Sequence, residues 1–285
     1  MVHRQSSPLT RGVAAVFITL ATLWAVFPFY WAIITSFKNR LDWFNYSFIP
    51  FLQFEPTLDW WTQELGPAGR GPELARAMTS SVTLALGAAI IALLLGAPAG
   101  YALARFRFHR WKNRDITMWF LSQRFLPPVA TMIPIFLMVR TVGLLDTPWA
   151  LAIANATFTL PFAVLILRDT FKELPIELEE AALVDGASPF QVFRLIALPL
   201  AAPAMVAAGI ICFAFSWNEF LFALILTVKN AVPMTVIIAG SEHTKGVIFA
   251  DVATRVLTGV IPPAILALLV QRYIVRGLTF GAVKG

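Results

Sequence analysis

The chain has 285 residues, of which 58% are hydrophobic and only 13% charged, and its mean hydropathy is +0.74. A soluble domain needs about a quarter of its residues charged, so a compact cytosolic enzyme is excluded and an all-α, polytopic membrane protein is expected. The net charge of +6 comes without basic and aromatic patches on a polar surface, so it fits loops facing anionic lipid headgroups rather than nucleic acid. The single cysteine, Cys212, lies in an apolar run; it reads as a packing residue, with no intrachain disulfide and no cysteine-based metal site.

Six stretches of about 20 residues have the length and apolarity of membrane spans, centred on 13–35, 80–104, 116–139, 147–167, 204–228 and 256–275. His3, Arg4 and Arg11 precede the first as in a signal peptide, but the apolar run is too long and lacks a small-residue cleavage site, so it reads as a retained helix. The segment 231–239 is apolar but about half a membrane thick, which suits an interfacial or re-entrant piece. The densest positive cluster, Arg105, Arg107, Arg110, Lys112 and Arg114, follows the second span and marks that loop as cytoplasmic. Six spans then place both termini inside. The loop 36–79 falls outside, its cations outnumbered by Asp42, Glu55, Asp59, Glu64 and Glu73, and its Trp43, Phe44, Tyr46, Trp60 and Trp61 suit an interfacial belt or a docking surface. A single transmembrane domain over 1–285, with a core of about 76–276, is expected.

One cytoplasmic stretch, 168–199, is not an ordinary loop. Pro175 suits a first helical position, Glu177, Glu179 and Glu180 place negative charge in the early turns, and Gly186 supplies a left-handed stop. Ser188 and Gln191 form an S-x-x-Q capping box for a second helix, with Pro189 just inside it. Leu178, Ala181 and Ala182 fall at i, i+3 and i+4 and make a small-residue face for close approach of another protein. An acidic polar face argues against an amphipathic helix lying on the membrane, which would carry Lys and Arg.

Glu180-Ala181-Ala182, Asp185-Gly186-Ala187 and Ile196-Ala197-Leu198-Pro199 resemble the cytoplasmic "EAA" loop of ABC-importer permease subunits, with its glycine and its I-x-L-P ending. Ser216-Trp217-Asn218-Glu219-Phe220 and the ending from Val275 to Gly285 are similar to the maltose-type carbohydrate permeases; the run 122–134 leans toward members for polyols and small sugars. The resemblance implies a type I ABC-importer permease fold in the cytoplasmic (inner) membrane, importing a carbohydrate or polyol. It implies as partners a second homologous permease subunit, two cytoplasmic ATP-binding-cassette subunits and an extracytoplasmic solute-binding protein, all set in membrane lipid. It also implies that this chain is not an enzyme and holds no cofactor, ATP and Mg being bound by the partner subunits. Carried onto this sequence, it makes Glu179, Glu180, Ala181, Ala182, Asp185, Gly186, Phe190, Arg194 and Pro199 the ATPase-coupling residues. It further makes Gly277, Leu278, Thr279, Lys284 and Gly285 part of a cytoplasmic tail, 277–285, that reaches between the ATPase subunits. The chain has no G-x-x-x-x-G-K-[ST]; its nearest approach, GSEHTKG at 240–246, has Lys before the second Gly.

Arg124 and Glu219 are the charges away from the ends of expected spans, each needing an interior partner or an aqueous path. Rise per residue puts Glu219 roughly 24 Å and Arg124 roughly 12 Å from the cytoplasmic ends of their spans, so a direct pair requires a broken helix. Pro127, Pro128 and Pro134 are placed to break it. Each of the two reads either as an interhelical clamp or, with Trp217, Asn218 and Asn155, as part of a translocation path; Asn155 equally suits a helix-helix hydrogen bond. Gly96 and Gly100 around Pro98 suit a kinked close contact. A secondary transporter would leave the cytoplasmic knob unexplained, and an intramembrane enzyme lacks H-E-x-x-H and G-x-S-x-G.

Overall fold

The computed structural model of the chain describes residues 8–243 and 246–282. In chain order its helices are α1 (Pro8–Ser36), α2 (Asp59–Leu65), α3 (Gly71–Arg105), α4 (Asn113–Gln123), α5 (Pro128–Thr141), α6 (Pro148–Glu173) and α7 (Ile176–Val184). There follow α8 (Pro189–Val192), a π-helical turn (Phe193–Ala197), α9 (Leu198–Leu200), α10 (Ala202–Trp217), α11 (Leu221–Leu226), α12 (Met234–Ala239) and α13 (Phe249–Ala282). A two-residue antiparallel ladder pairs Glu242 with Val247 and His243 with Gly246. These paired strands lie in the GSEHTKG stretch, whereas a phosphate loop must open a helix.

Helices α1, α3, α6 and α13 are long and apolar enough to cross a bilayer unbroken. The third and fifth expected spans are not continuous. α4 and α5 meet at 91°, because Pro127 and Pro128 remove donors and Pro127, preceding a proline, takes extended backbone (φ −64°, ψ 124°). The segment 189–200 meets α10 at 75° near Pro199 and Pro203, and the helix expected to run to 228 stops at Trp217. With each bent pair taken as one span the count is six. The backbone of α13 stays helical to Ala282, so Gly277, Leu278 and Thr279 continue that helix, while Lys284 and Gly285 lie outside the described residues.

Contacts divide the chain into two compact units. The first comprises Met1–Pro72 and Gly240–Val260. Its expected acidic, solvated loop is in part interior: Glu64 is buried, with Arg255 Nε at 3.0 Å, and Arg255 also approaches Asp251 at 3.4 Å and Ser241 Oγ at 2.7 Å. Arg70 closes the lattice, 2.9 Å from Asp251 and 3.7 Å from Glu64. Lys38 is buried as well, its ammonium 4.4 Å from the Trp31 ring centre. The expected aromatic belt splits accordingly. Trp60 is buried and donates its indole N–H to Lys38 O, and Trp61 donates to Ser36, whereas Phe44 and Tyr46 are exposed.

The second unit comprises Glu73–Ala239 and Ile261–Gly285. A stripe of small residues on α3, Ala85, Ala89 and Ala92, meets Ala163 of α6 and Cys212 and Phe213 of α10. Small side chains let backbones approach closely where lipid offers no hydrophobic drive between helices. At Gly96 a Cβ would lie 2.7 Å from the Ala163 Cβ, which fixes the crossing of α3 on α6. α11 packs beside α5 and α6 through Phe222, Leu226 and Leu151.

Asp146, in the turn between α5 and α6, binds the loop after α11. Its carboxylate accepts the backbone N–H groups of Val228, Lys229, Asn230 and Ala231 at 3.0–3.1 Å, and its own N–H donates to Leu226 O at 2.8 Å. Its φ of +57° is tolerated by a short polar side chain. Burial works to raise its pKa, but the four converging N–H groups outweigh burial and hold the carboxyl down at about 2. With an unfolded value near 3.9, this stabilisation is complete above about pH 5 and fades as pH falls toward about 2. Asp146→Asn should therefore destabilise the solubilised protein by on the order of 1 kcal/mol at neutral pH, allowing for solvent screening of a half-exposed group. In thermal melts the gap between wild type and variant should narrow below about pH 4.

Candidate functional site

The segment after α6 folds into the expected knob. α7 ends in a glycine cap: Gly186 has φ +89°, its N–H donates to Leu183 O, and the Ala187 N–H donates to Ala182 O. A Cβ at Gly186 would meet open space, so its conformation alone excludes other residues cheaply adopting the turn. Ser188 and Gln191 make the reciprocal capping box, Ser188 Oγ accepting from the Gln191 N–H and Gln191 Oε1 from the Ser188 N–H. The π turn arises because Pro199 lacks an N–H; the Leu198 N–H reaches five residues back to Phe193 O.

The acids of α7 divide. Glu179 is 5% exposed and points inward, accepting from Tyr101 Oη at 2.7 Å and from Arg105 Nε and Nη2 at 2.9 and 2.8 Å. Arg105 also donates to Leu174 O at 3.0 Å, so one side chain at the end of α3 holds both the turn after α6 and the first turns of α7. Tyr101, Phe171 and Phe193 pack edge-on or tilted beside this pair. Glu180, Ala181, Asp185, Gly186, Phe190, Arg194 and Pro199 remain exposed and Ala182 is half-buried. Leu178, Val184 (87% exposed) and Phe190 (67%) add an uncovered apolar surface. The knob is thus fastened on one side and open on the other. Glu179, placed by sequence with the outward residues, is on the fastened side.

A second feature lies at the end of α10. Asn155, Phe158, Phe162, Phe215, Asn218 and Glu219 line a cavity of about 290 Å³. The Glu219 carboxylate accepts from the N–H groups of Phe222 (2.7 Å) and Ala223 (3.1 Å), capping α11 where the span breaks. Thr235 donates to Glu219 O at 2.7 Å and ties α12 to the same break. Backbone donors therefore meet this acid, and no Arg124–Glu219 ion pair occurs among the described residues. Arg124 instead lies at the α4–α5 bend with its guanidinium 3.8 Å from the Phe162 ring centre. Asn155 is buried, faces the cavity, and donates to Leu151 O at 3.0 Å. Trp217 does not line the cavity: it is buried and stacked on Phe213, turned into the core that α10 shares with α3 and α6.

Sequence reasoning missed Arg105 and Asp146 as fixing residues. Arg105 is one of five cations in a cluster, and nothing local distinguishes the one with a buried partner. Removing that partner should be costly: Glu179→Gln should lower the stability of the solubilised protein by on the order of 3 kcal/mol, since it leaves Arg105 without its counter-charge. Glu180→Gln, on the open side, should change it by less than about 0.5 kcal/mol. Thermal unfolding of the two variants checks the division, and Arg105→Gln combined with Glu179→Gln should recover part of the loss.

Residues 96–279 match the family described as binding-protein-dependent transport system inner membrane component. The chain is 40% identical over 220 residues to the trehalose transport system permease protein SugB of Mycobacterium tuberculosis, covering 76% of this chain and 79% of that protein. It is 30% identical over 282 residues to the trehalose/maltose transport system permease protein MalG of Thermococcus litoralis, covering 97% and 98%. Its fold is similar to a chain in the crystal structure of a bacterial ABC transporter involved in the import of the acidic polysaccharide alginate, with a TM-score of 0.76, 21% identity, and 96% and 99% of the two chains covered. The bent helices, the exposed EAA knob and these matches together assign the chain to the binding-protein-dependent transport system inner membrane components, as a multi-pass permease subunit and not an enzyme.

Proposed function

We propose that this permease imports a carbohydrate, driven by separate cytoplasmic ATPase subunits that seat on the α7–α8 knob. The reading includes a second homologous permease, an external solute-binding protein, both termini on the cytoplasmic side, and a tail from Gly277 reaching toward the ATPases. ATP and Mg belong to the ATPase subunits. The observation that carries it is the two-sided knob: Glu179 locks it to α3, while Glu180, Ala181, Val184 and Phe190 face outward with no cover among the described residues. A lever must be fixed to what it moves and open to what drives it. Relatives named for trehalose and maltose transport support a carbohydrate substrate. So does the cavity at Glu219, where the Phe158, Phe162 and Phe215 rings stand beside Asn155 and Asn218, a pairing of aromatic faces with hydrogen-bonding groups that suits sugars. Polyols, which offer the same hydroxyls, belong in the same substrate screen.

Gly186→Leu forces a side chain into left-handed backbone at a local cost of about 1 kcal/mol, tilting the knob without touching a span. Expression and membrane integration should stay near normal while solute uptake and binding-protein-stimulated ATP hydrolysis in reconstituted vesicles collapse. Near-normal values of both would remove the coupling role. Topology is checked in the same vesicles: Tyr46→Cys, at an exposed position, should label from outside and Arg110→Cys only from inside.

A further inference from the structure

The loop from α3 to α4 bears a second feature that the coupling role does not use. Arg105 is committed to Glu179, but Arg107 and Lys112 in the loop and Lys172 near the end of α6 have no carboxylate partner among the described residues. The loop that carries Arg107 and Lys112 is fixed. The Asn113 side chain donates to Leu103 O (2.9 Å) and Phe106 O (2.6 Å) and accepts from the Phe108 N–H at 3.1 Å, and the Phe106 ring stands edge-on to Tyr101. Between the loop and the start of α7 opens a cavity of about 540 Å³. Leu103, Phe106, Phe108 and Ile176 give it apolar walls, and Arg107, Lys112 and Lys172 line it with positive charge.

Uncompensated cations call for an anion, and the combination of guanidinium and ammonium groups suits phosphate oxygens. The apolar walls discriminate further, because a free phosphate gains nothing from Phe106, Phe108 or Ile176, whereas a phosphodiester with acyl chains meets charge and hydrocarbon together. Trp111, exposed on the same loop, is the side chain expected at headgroup depth. We propose that this cavity binds the headgroup of an anionic phospholipid of the cytoplasmic leaflet. The proposal rests on the cytoplasmic placement of the loop in the proposed function. Arg105 shares the cavity wall and the Glu179 lock, and Ile176 opens α7, so a bound lipid braces the foot of the coupling helix.

The test is lipid retention by the assembled transporter, taken from nanodiscs of phosphatidylcholine with or without phosphatidylglycerol and read by native mass spectrometry. The wild type should retain phosphatidylglycerol, and the triple variant Arg107→Gln, Lys112→Gln, Lys172→Gln should bind it on the order of a hundredfold more weakly, at about fivefold per cation. Arg110→Gln with Arg114→Gln, which removes charge from outside the cavity, should retain it. Equal retention by the triple variant, or equal loss in the Arg110 and Arg114 pair, would overturn the site. If the triple variant does not assemble, single Lys112→Gln and Lys172→Gln variants decide, each losing about fivefold or refuting the proposal by losing nothing. Inorganic phosphate added as competitor should leave retention unchanged; displacement of the lipid would make this a free-phosphate site and overturn the lipid assignment. Outside labelling of Arg110→Cys would overturn the topology separately, whatever the lipid count.

Discussion

A carboxylate withdrawn from water must find its donors inside the protein, and this chain withdraws several. Glu64 is met by Arg255, Glu179 by Arg105 and Tyr101, Glu219 by two backbone N–H groups, and the half-exposed Asp146 by four. None of these acids sits in mid-helix with its donors one turn away. Each stands at the end or break of an element and holds a second one. Broken helices in a bilayer leave backbone donors that water cannot reach, so an acid placed at the break satisfies both demands. The bend between Trp217 and Leu221 is tolerable because Glu219 caps the first turn of α11.

In the proposed coupling role, this constraint becomes mechanical at the knob. An exposed helix of nine residues would be marginal on its own. Here a glycine cap ends it, a capping box begins its neighbour, and the Arg105–Glu179 pair joins its first turns to a membrane-crossing helix. Force applied to the open face therefore passes into α3 through short, charge-assisted bonds rather than through a flexible loop.

What the sequence disclosed was local. Gly186, Ser188 with Gln191, and the apolar lengths of α1, α3, α6 and α13 are decided by neighbours within a few residues, and each appears in the structure where its local chemistry places it. Hydropathy sees apolar length but not direction, so Pro127 and Pro128 suggested a break while its 91° angle stayed hidden. Pairings across the chain were illegible for the same reason: Arg105 and Glu179 are 74 positions apart, and Arg255 and Glu64 are 191 apart. Trp217 and Asn218 are adjacent letters, yet one enters the core and the other faces the cavity, a matter of helix phase set by the neighbours of α10.

The turn that holds Asp146 carries a consequence for sequence variation. Its partners at 228, 229 and 231 act through main-chain N–H groups, which every amino acid but one possesses. The exposed side chains at 228 and 229 are thus free to drift, toward charge at Lys229 or bulk at Val228, without touching the bond that fixes the loop, while Ala231 is held small by burial. Proline is barred from all four positions from Val228 to Ala231, since it would erase a donor. At 146 itself the alternatives shrink to residues that tolerate a left-handed backbone and present an acceptor three bonds from Cα. The variable and the invariant halves of one contact are therefore assigned by which of them speaks through its backbone.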